Sequence, residues 1–277
     1  MTEDGVAAAA AAARRKADYL RAHPLGYLVL SALAGAYVGF AVVLVFAVGA
    51  PLAAAGSPFV KLVMGVSFGV ALSLVVFAGA ELFTGNVMVM TVGVLRRAVS
   101  GRELGAVWAL SFLGNLAGSL ALAWLVARSG VLGGAPQAEF VRQAAAAKMG
   151  LPWETLFFRA VLANWLVCLG LWSTMRSASE TARLVLISWC LFAFVAPGFE
   201  HSVANMTLLG VGLLQPHDAA VSLGGFIRNL VPVTLGNVAG GALFLGAAYW
   251  LAAHPVRLLP ARRAPDAALA PVESRPE

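Results

Sequence analysis

Apolar residues gather into six long stretches, at about 25–49, 60–95, 104–127, 154–175, 184–214 and 220–253, with polar residues in the short intervals between them. About 20 residues of helix cross the roughly 30 Å of hydrocarbon in a bilayer. The pattern therefore predicts an all-α polytopic membrane protein whose transmembrane domain, residues 25–253, crosses six times and leaves both termini on one side. Residues 1–24 read as a short polar helix. Its alanine run, Ala7 to Ala13, follows Glu3 and Asp4 rather than the basic segment that opens a signal peptide. Residues 254–277, rich in proline and alanine, read as a disordered tail.

Two stretches are longer than one crossing needs. At 1.5 Å per residue, 60–95 would make a straight helix of about 54 Å and 184–214 one of about 46 Å. Each holds a breaker near its middle: Gly79 and Gly85 in the first, Pro197-Gly198 in the second. Interrupted helices are tolerated in a membrane where the freed backbone is buried in protein or lines a cavity.

The same motif marks both breaks. Gly79 to Asn86 and Gly198 to Asn205 both read G-x-E-x-x-x-x-N, and each is followed by L-G-N-x-A-G, at 113–118 and 235–240. Glu81 precedes Asn115 by 34 residues, and Glu200 precedes Asn237 by 37. Two matches in the same order read as a duplication, with repeats at about 25–127 and 154–253. Three spans per copy is an odd number, so the second copy enters the membrane upside down. Such inverted repeats build transporters and channels whose site lies near the midplane, at the broken helices. The glycines of the third spans suit close helix packing.

Composition narrows the class. The chain is 60% hydrophobic and 12% charged, against about 45–50% and 25% in soluble domains. One soluble core of this size cannot hide that excess, which excludes a soluble enzyme, a disordered chain and a nucleic-acid binder. The net charge of +6 is mostly a topology signal. Loops on one side, from Arg14 to Arg275, hold 13 of the 19 basic residues, so both termini are expected in the cytoplasm. Cys168 and Cys190 lie in apolar stretches with no metal-ligand spacing. His23, His217 and His254 lie near span ends, which leaves no pair of deep histidines for haem. No metal or cofactor is expected.

Three ionisable groups lie deep in the spans: Glu81, Glu200 and His201. A charge at the centre of a span costs about 2.5–3.5 kcal/mol, so such groups face the bundle interior or a pathway. Glu81 and Glu200, each with its Asn86 or Asn205, are expected to pin the breaks by accepting free backbone N–H groups. His201 breaks the symmetry, because its counterpart is Leu82; imidazole titrates near neutrality and suits a proton donor. Thr84 and Asn164 either satisfy exposed backbone or face the pathway. Lys148, after Ala144 to Ala147, is either a solvated loop lysine or a cation that draws anions into a vestibule.

At GAELFTGN (79–86), ANWLVCLGLW (163–172), GFEHSVANMT (198–207) and VTLGNVAGGALF (233–244) the sequence resembles the formate/nitrite transporter family. The resemblance spans most of residues 20–252. HPLGYLVLSALAGAYVG (23–39) and SWCLFAFVAPGFEHSVANMTL (188–208) are most similar to its nitrite-transporting branch. It implies an aquaporin-like six-helix protomer in a homopentamer of the bacterial inner membrane, each protomer with its own pore. It implies passage of small monovalent anions or their conjugate acids with protons, nitrite ahead of formate, hydrosulfide or another weak-acid anion. Carried over by position, His201 is the central pore histidine, Thr84 belongs to the loop breaking the second span, Asn164 lies beside the histidine and Lys148 is the vestibule lysine. Leu72, Leu82 and Phe83 map to a cytoplasmic hydrophobic constriction, and Phe68, Val167 and Phe194 to a periplasmic one. One departure is Pro197, where the family has a small residue. A membrane enzyme would need haem ligands, a cysteine cluster or a nucleophile–base pair, and an aquaporin-type pore Asn-Pro-Ala at each break. The sequence has none of these, so a transporter rather than an enzyme is expected.

Overall fold

The computed structural model describes residues 2–254, and the tail expected beyond them lies outside the described residues. The described chain is helical throughout its regular structure. The helices are α1 (Thr2–Ala22), α2 (Pro24–Ala54), α3 (Val60–Ser67), α4 (Val70–Phe77), α5 (Phe83–Leu95) and α6 (Gly101–Ser129). They continue as α7 (Gln137–Gly150), α8 (Trp153–Met175), α9 (Glu180–Val195), α10 (Ser202–Leu214), α11 (Leu223–Ala239) and α12 (Ala248–Ala253). A π-helical stretch, Gly240–Ala247, joins α11 to α12.

Local chemistry sets the ends. Pro24 opens α2, where its missing N–H costs nothing. Ser100 and Glu103 form a reciprocal capping box on α6, and Gly130, in the left-handed region at φ 73°, ends it. Five helical stretches are long and apolar enough to cross a membrane: Pro24–Ala54, Val60–Phe77, Gly101–Ser129, Trp153–Met175 and Leu223–Ala253. The two overlong sequence stretches are divided. Residues 60–95 become α3, α4 and α5, with a bend at Phe68-Gly69 that the hydropathy pattern does not mark. Residues 184–214 become α9 and α10. The interval 128–153, expected to be a loop, contains helix α7, so Lys148 stands on a helix.

Packing is closest where the L-G-N-x-A-G motifs fall. A Cβ on Gly118 would collide with the Ala32 carbonyl of α2, and one on Gly240 with the Val161 carbonyl of α8. Helix α1 lies against the ends of α5, α8 and α12. Its buried Ala9, Ala13 and Ala17 recur every four residues on one face, with Ala13 against Gly93 of α5.

Candidate functional site

Both breaks are built from the same parts. Gly79 (φ 71°) and Gly198 (φ 86°) end the preceding helices in the left-handed region, the conformation an L side chain resists. Ala80 N–H donates to Val75 O at 2.9 Å and Gly79 N–H to Val76 O at 3.4 Å; Phe199 to Phe194 (3.1 Å) and Gly198 to Val195 (3.0 Å) repeat the pattern. These are Schellman ends. The extended residues after them are tied sideways, Glu81 N–H to Leu30 O at 3.2 Å and Glu200 N–H to Arg159 O at 3.3 Å.

An asparagine then holds each new helix. Asn115 Oδ1 accepts from Phe83 N–H at 2.8 Å, while its Nδ2 donates to Ser31 O (2.7 Å) and Glu81 O (2.9 Å). Asn237 Oδ1 accepts from Ser202 N–H at 2.8 Å, and its Nδ2 donates to Ala160 O (2.8 Å) and Glu200 O (3.0 Å). Both asparagines are fully buried. The backbone amides expected to bind Glu81 and Glu200 are therefore taken by Asn115 and Asn237. The geometric reason is that Leu82 and His201, one residue later, occupy the N-cap positions.

The carboxylates find lysines instead. Lys148 Nζ of α7 lies 2.7 Å from Glu200 Oε1, and Lys16 Nζ of α1 lies 2.7 Å from both oxygens of Glu81. Asn205 Nδ2 donates to Glu200 at 2.7 Å and Asn86 Nδ2 to Glu81 at 3.0 Å. Tyr27 supports the first cluster and Asn229 the second. In the sequence Lys16 is one of the basic residues that give the topology signal. Its place opposite Lys148 had no sequence signal, because α1 lies outside the repeat.

Three cavities follow one another between the lysines. The first, about 230 Å³, is lined by Lys148, His201, Asn205, Gly198 and apolar residues including Phe68 and Phe194. The second, about 10 Å³, is lined by Phe68, Phe194, His201, Val167, Leu72 and Leu82, together with Val38, Ala71 and Leu191. A space of that size holds about one water. The third, about 210 Å³, is lined by Leu72, Leu82, Gly79, Gly85, Glu81, Asn86 and Lys16 among others. Phe68, Phe194 and His201 are common to the first two cavities, Leu72 and Leu82 to the last two. Phe68 and Phe194 meet edge to face, with centroids 5.5 Å apart.

His201 is buried at 4% exposure and is doubly engaged. Its Nδ1 accepts from Ala204 N–H at 3.2 Å, capping α10, and its Nε2 lies 3.0 Å from Thr84 Oγ1. Asn164 sits behind this pair: its Nδ2 donates to Thr84 O at 3.2 Å and Asn237 O at 2.6 Å, so it ties one break to the other. Cys168 Sγ also donates to Thr84 O, at 3.3 Å. Thr84 and Asn164 do not line the three cavities. Nor does Phe83, whose ring packs against Phe112 at a centroid distance of 5.2 Å, on the side of the break away from Leu72 and Leu82.

A model of the formate/nitrite transporter family matches residues 3–251. The nitrite transporter NirC of Escherichia coli (strain K12) is 43% identical over 252 residues, covering 91% of this chain and 92% of that protein. A probable formate transporter of Methanothermobacter thermautotrophicus is 42% identical over 251 residues, 82% of this chain and 89% of that one. Among solved structures, an FNT family ion channel superposes with a TM-score of 0.86 at 43% identity, over 90% of this chain and 99% of that one. A pentameric formate channel with formate bound gives a TM-score of 0.70 at 29% identity, over 82% of this chain and 96% of that one.

Proposed function

The chain belongs to the formate/nitrite transporter family, and from that premise we propose that it carries nitrite, or a similar small weak-acid anion, across the inner membrane of a bacterium. In this reading the six crossings are α2, the run α3–α5, α6, α8, the run α9–α10 and the run α11–α12. They form two inverted repeats, about 25–127 and 154–253, with both termini in the cytoplasm. Residues 1–24 form a cytoplasmic helix and 254–277 a cytoplasmic tail. Exposed apolar side chains such as Leu113, Trp124 and Trp189 face lipid or the neighbouring copies of a homopentamer.

The observation that carries this reading is the succession of cavities through His201. An anion entering the first cavity meets Lys148, paired there with Glu200, and the N-terminal end of α10, whose dipole favours negative charge. It then meets Phe68, Val167 and Phe194, where stripping its water is costly for an ion and cheap for a neutral molecule. His201, once it has taken up a second proton from water in the first cavity, passes a proton to the anion, directly or through water: an N–H bond of the imidazolium breaks, an O–H bond forms, and the ring returns to neutral imidazole. The neutral acid slips past Leu72 and Leu82 and releases its proton beside Lys16 and Glu81. The second cavity holds about one water, so passage also requires the apolar side chains to move aside. Thr84 and Asn164 position the histidine and join the two breaks.

Formate is the second reading, favoured by the similarity to a probable formate transporter and a formate channel. Proteoliposome uptake of nitrite and formate side by side, over a range of pH, tests both. Nitrite is expected to enter faster and to bring protons with it. His201→Asn is expected to abolish the proton-linked component. Intact proton coupling in that variant would overturn the donor role of His201, and equal indifference to both anions would overturn the substrate assignment.

A further inference from the structure

His201 has two ring nitrogens, and the fold commits them differently. Nδ1 accepts from the third amide of α10, Ala204 N–H, at 3.2 Å. A nitrogen that accepts needs its lone pair, so a neutral ring in this position carries its hydrogen on Nε2. Nε2 faces Thr84 Oγ1 at 3.0 Å, and a hydroxyl oxygen accepts as readily as it donates, so it is compatible with that hydrogen. The backbone of the residue is extended (φ −124°, ψ 120°), as an N-cap requires. At the matching position of the other break, Leu82 has no side-chain cap.

We infer that His201 is the side-chain cap of α10, and that this cap locks its resting tautomer with Nδ1 bare and Nε2 protonated. The ring therefore presents an N–H donor, which suits an anion, and this rests on the anion pathway proposed above. A second proton has one place to go, Nδ1, and there it competes with Ala204 N–H for the same lone pair. Charging the ring and uncapping the helix are thus one event. The charged groups around the ring are Lys148 of α7, which lines the first cavity with it, and Glu200, the preceding residue, paired with that lysine. Thr84 of α5 and Phe194 of α9 contribute no charge.

The test is nitrogen NMR of the full-length protein, labelled with ¹⁵N-histidine, in phospholipid bilayers at neutral pH. His201→Asn identifies the His201 signals among the four histidines. A bare Nδ1 and a protonated Nε2 are expected in the parent and also in Thr84→Val, because the cap and not the threonine sets the tautomer. A protonated Nδ1 in the parent, or a tautomer that switches in Thr84→Val, overturns the inference. Thermal melting supplies a second arm. Asparagine is a good N-cap and leucine is not, so His201→Leu is expected to melt about 2–4 °C below His201→Asn. Equal melting temperatures would remove the cap. Neither readout depends on flux, so a failure of the transport reading would leave both standing and be seen separately.

Discussion

The two breaks share a skeleton and differ in what fills it. Each has a left-handed glycine, an extended link tied sideways, a clamping asparagine and a carboxylate paired to a lysine. Yet position 82 is leucine and its counterpart 201 is histidine. The lysine at one end comes from the N-terminal helix α1 and at the other from α7. Glu81 keeps 12% side-chain exposure and Glu200 only 2%. The glycines, the extended links and the clamping asparagines satisfy backbone groups that a broken helix leaves open, whereas the lysines of the carboxylate pairs and the unshared Leu82 and His201 face the cavities. Symmetry here solves a structural problem, and the chemistry proposed for His201 sits where symmetry fails.

The largest effects are expected where the shared skeleton is removed. Asn237→Ala strips partners from one buried N–H and two buried carbonyls, and Asn115→Ala from one buried N–H, one buried carbonyl and the partly buried carbonyl of Glu81. At about 1–3 kcal/mol per bare group, partly offset by relaxation, the loss is roughly 3–6 kcal/mol. The detergent-solubilised protein should then melt lower by roughly 6–24 °C, and by similar amounts at both positions. If either variant melted within a degree or two of the parent, the asparagine clamp would not be what holds that helix.

Next come the lysines, where the two ends should part. Lys148→Met leaves Glu200 buried without its cation, and breaking a buried pair costs about 3–5 kcal/mol. Lys16→Met should cost less, because Glu81 is more exposed and keeps hydrogen bonds from Tyr27 and Asn86. Adding Glu200→Gln to Lys148→Met should recover most of the loss, since a neutral amide needs no counter-ion. Equal melting of the two single variants would contradict the difference in burial, and a double variant no better than Lys148→Met would point away from an uncompensated charge.

Much of this is legible in the sequence. Long apolar runs give helices, and the twin G-x-E-x-x-x-x-N motifs lie at both breaks, where the glycine ends one helix in the left-handed region and the carboxylate and asparagine bond each other. His201 stood out as the ionisable residue that broke the repeat. What the sequence could not show depends on partners far apart along it. Lys16 lies 65 residues from Glu81, on a helix outside the repeat. Asn115 and Asn237 were visible as repeat markers, but not as the acceptors that displace the glutamates from the helix ends. The family resemblance puts Phe83 in the constriction with Leu82; consecutive residues at a helix start point to different sides, so Leu82 lines the cavities and Phe83 packs on Phe112.

The glycines offer a finer contrast. An alanine Cβ at Gly79 or Gly198 would meet no atom within 4 Å, so substitution costs only the left-handed conformation, about 1–2 kcal/mol at each position. The breaks differ in the residue before. Ala78 N–H donates to Leu74 O at 3.0 Å, whereas Pro197 has no N–H to give. If Pro197 merely fixes the kink, Gly198→Ala and Gly79→Ala should lower the melting temperature alike. A clearly larger drop for Gly198→Ala would mean that the proline leaves the second break with no conformational slack.

The smallest effects are expected at the rims, where each end carries an arginine between two acids. Arg142 bonds Glu139 and Asp218 near Lys148, and Arg14 bonds Asp18 and approaches Glu103 at 3.2 Å near Lys16. The guanidinium hydrogen bond of Arg142, reinforced by Gln143, holds the Glu139 carboxyl below the usual carboxylate range, and Arg14 does the same for Asp18. A carboxylate whose folded value is depressed contributes stability above its unfolded value, about 4 for these residues. That contribution is lost as pH falls through the folded value. Both networks are exposed, so water and salt screen them. Arg142→Ala and Arg14→Ala should therefore change melting at neutral pH far less than the lysine variants do. The small difference from the parent should fade as pH drops below 4 or as salt rises to molar concentration. A loss at neutral pH comparable to that of Lys148→Met, and insensitive to salt, would show that the rim networks brace the breaks as firmly as the buried pairs do.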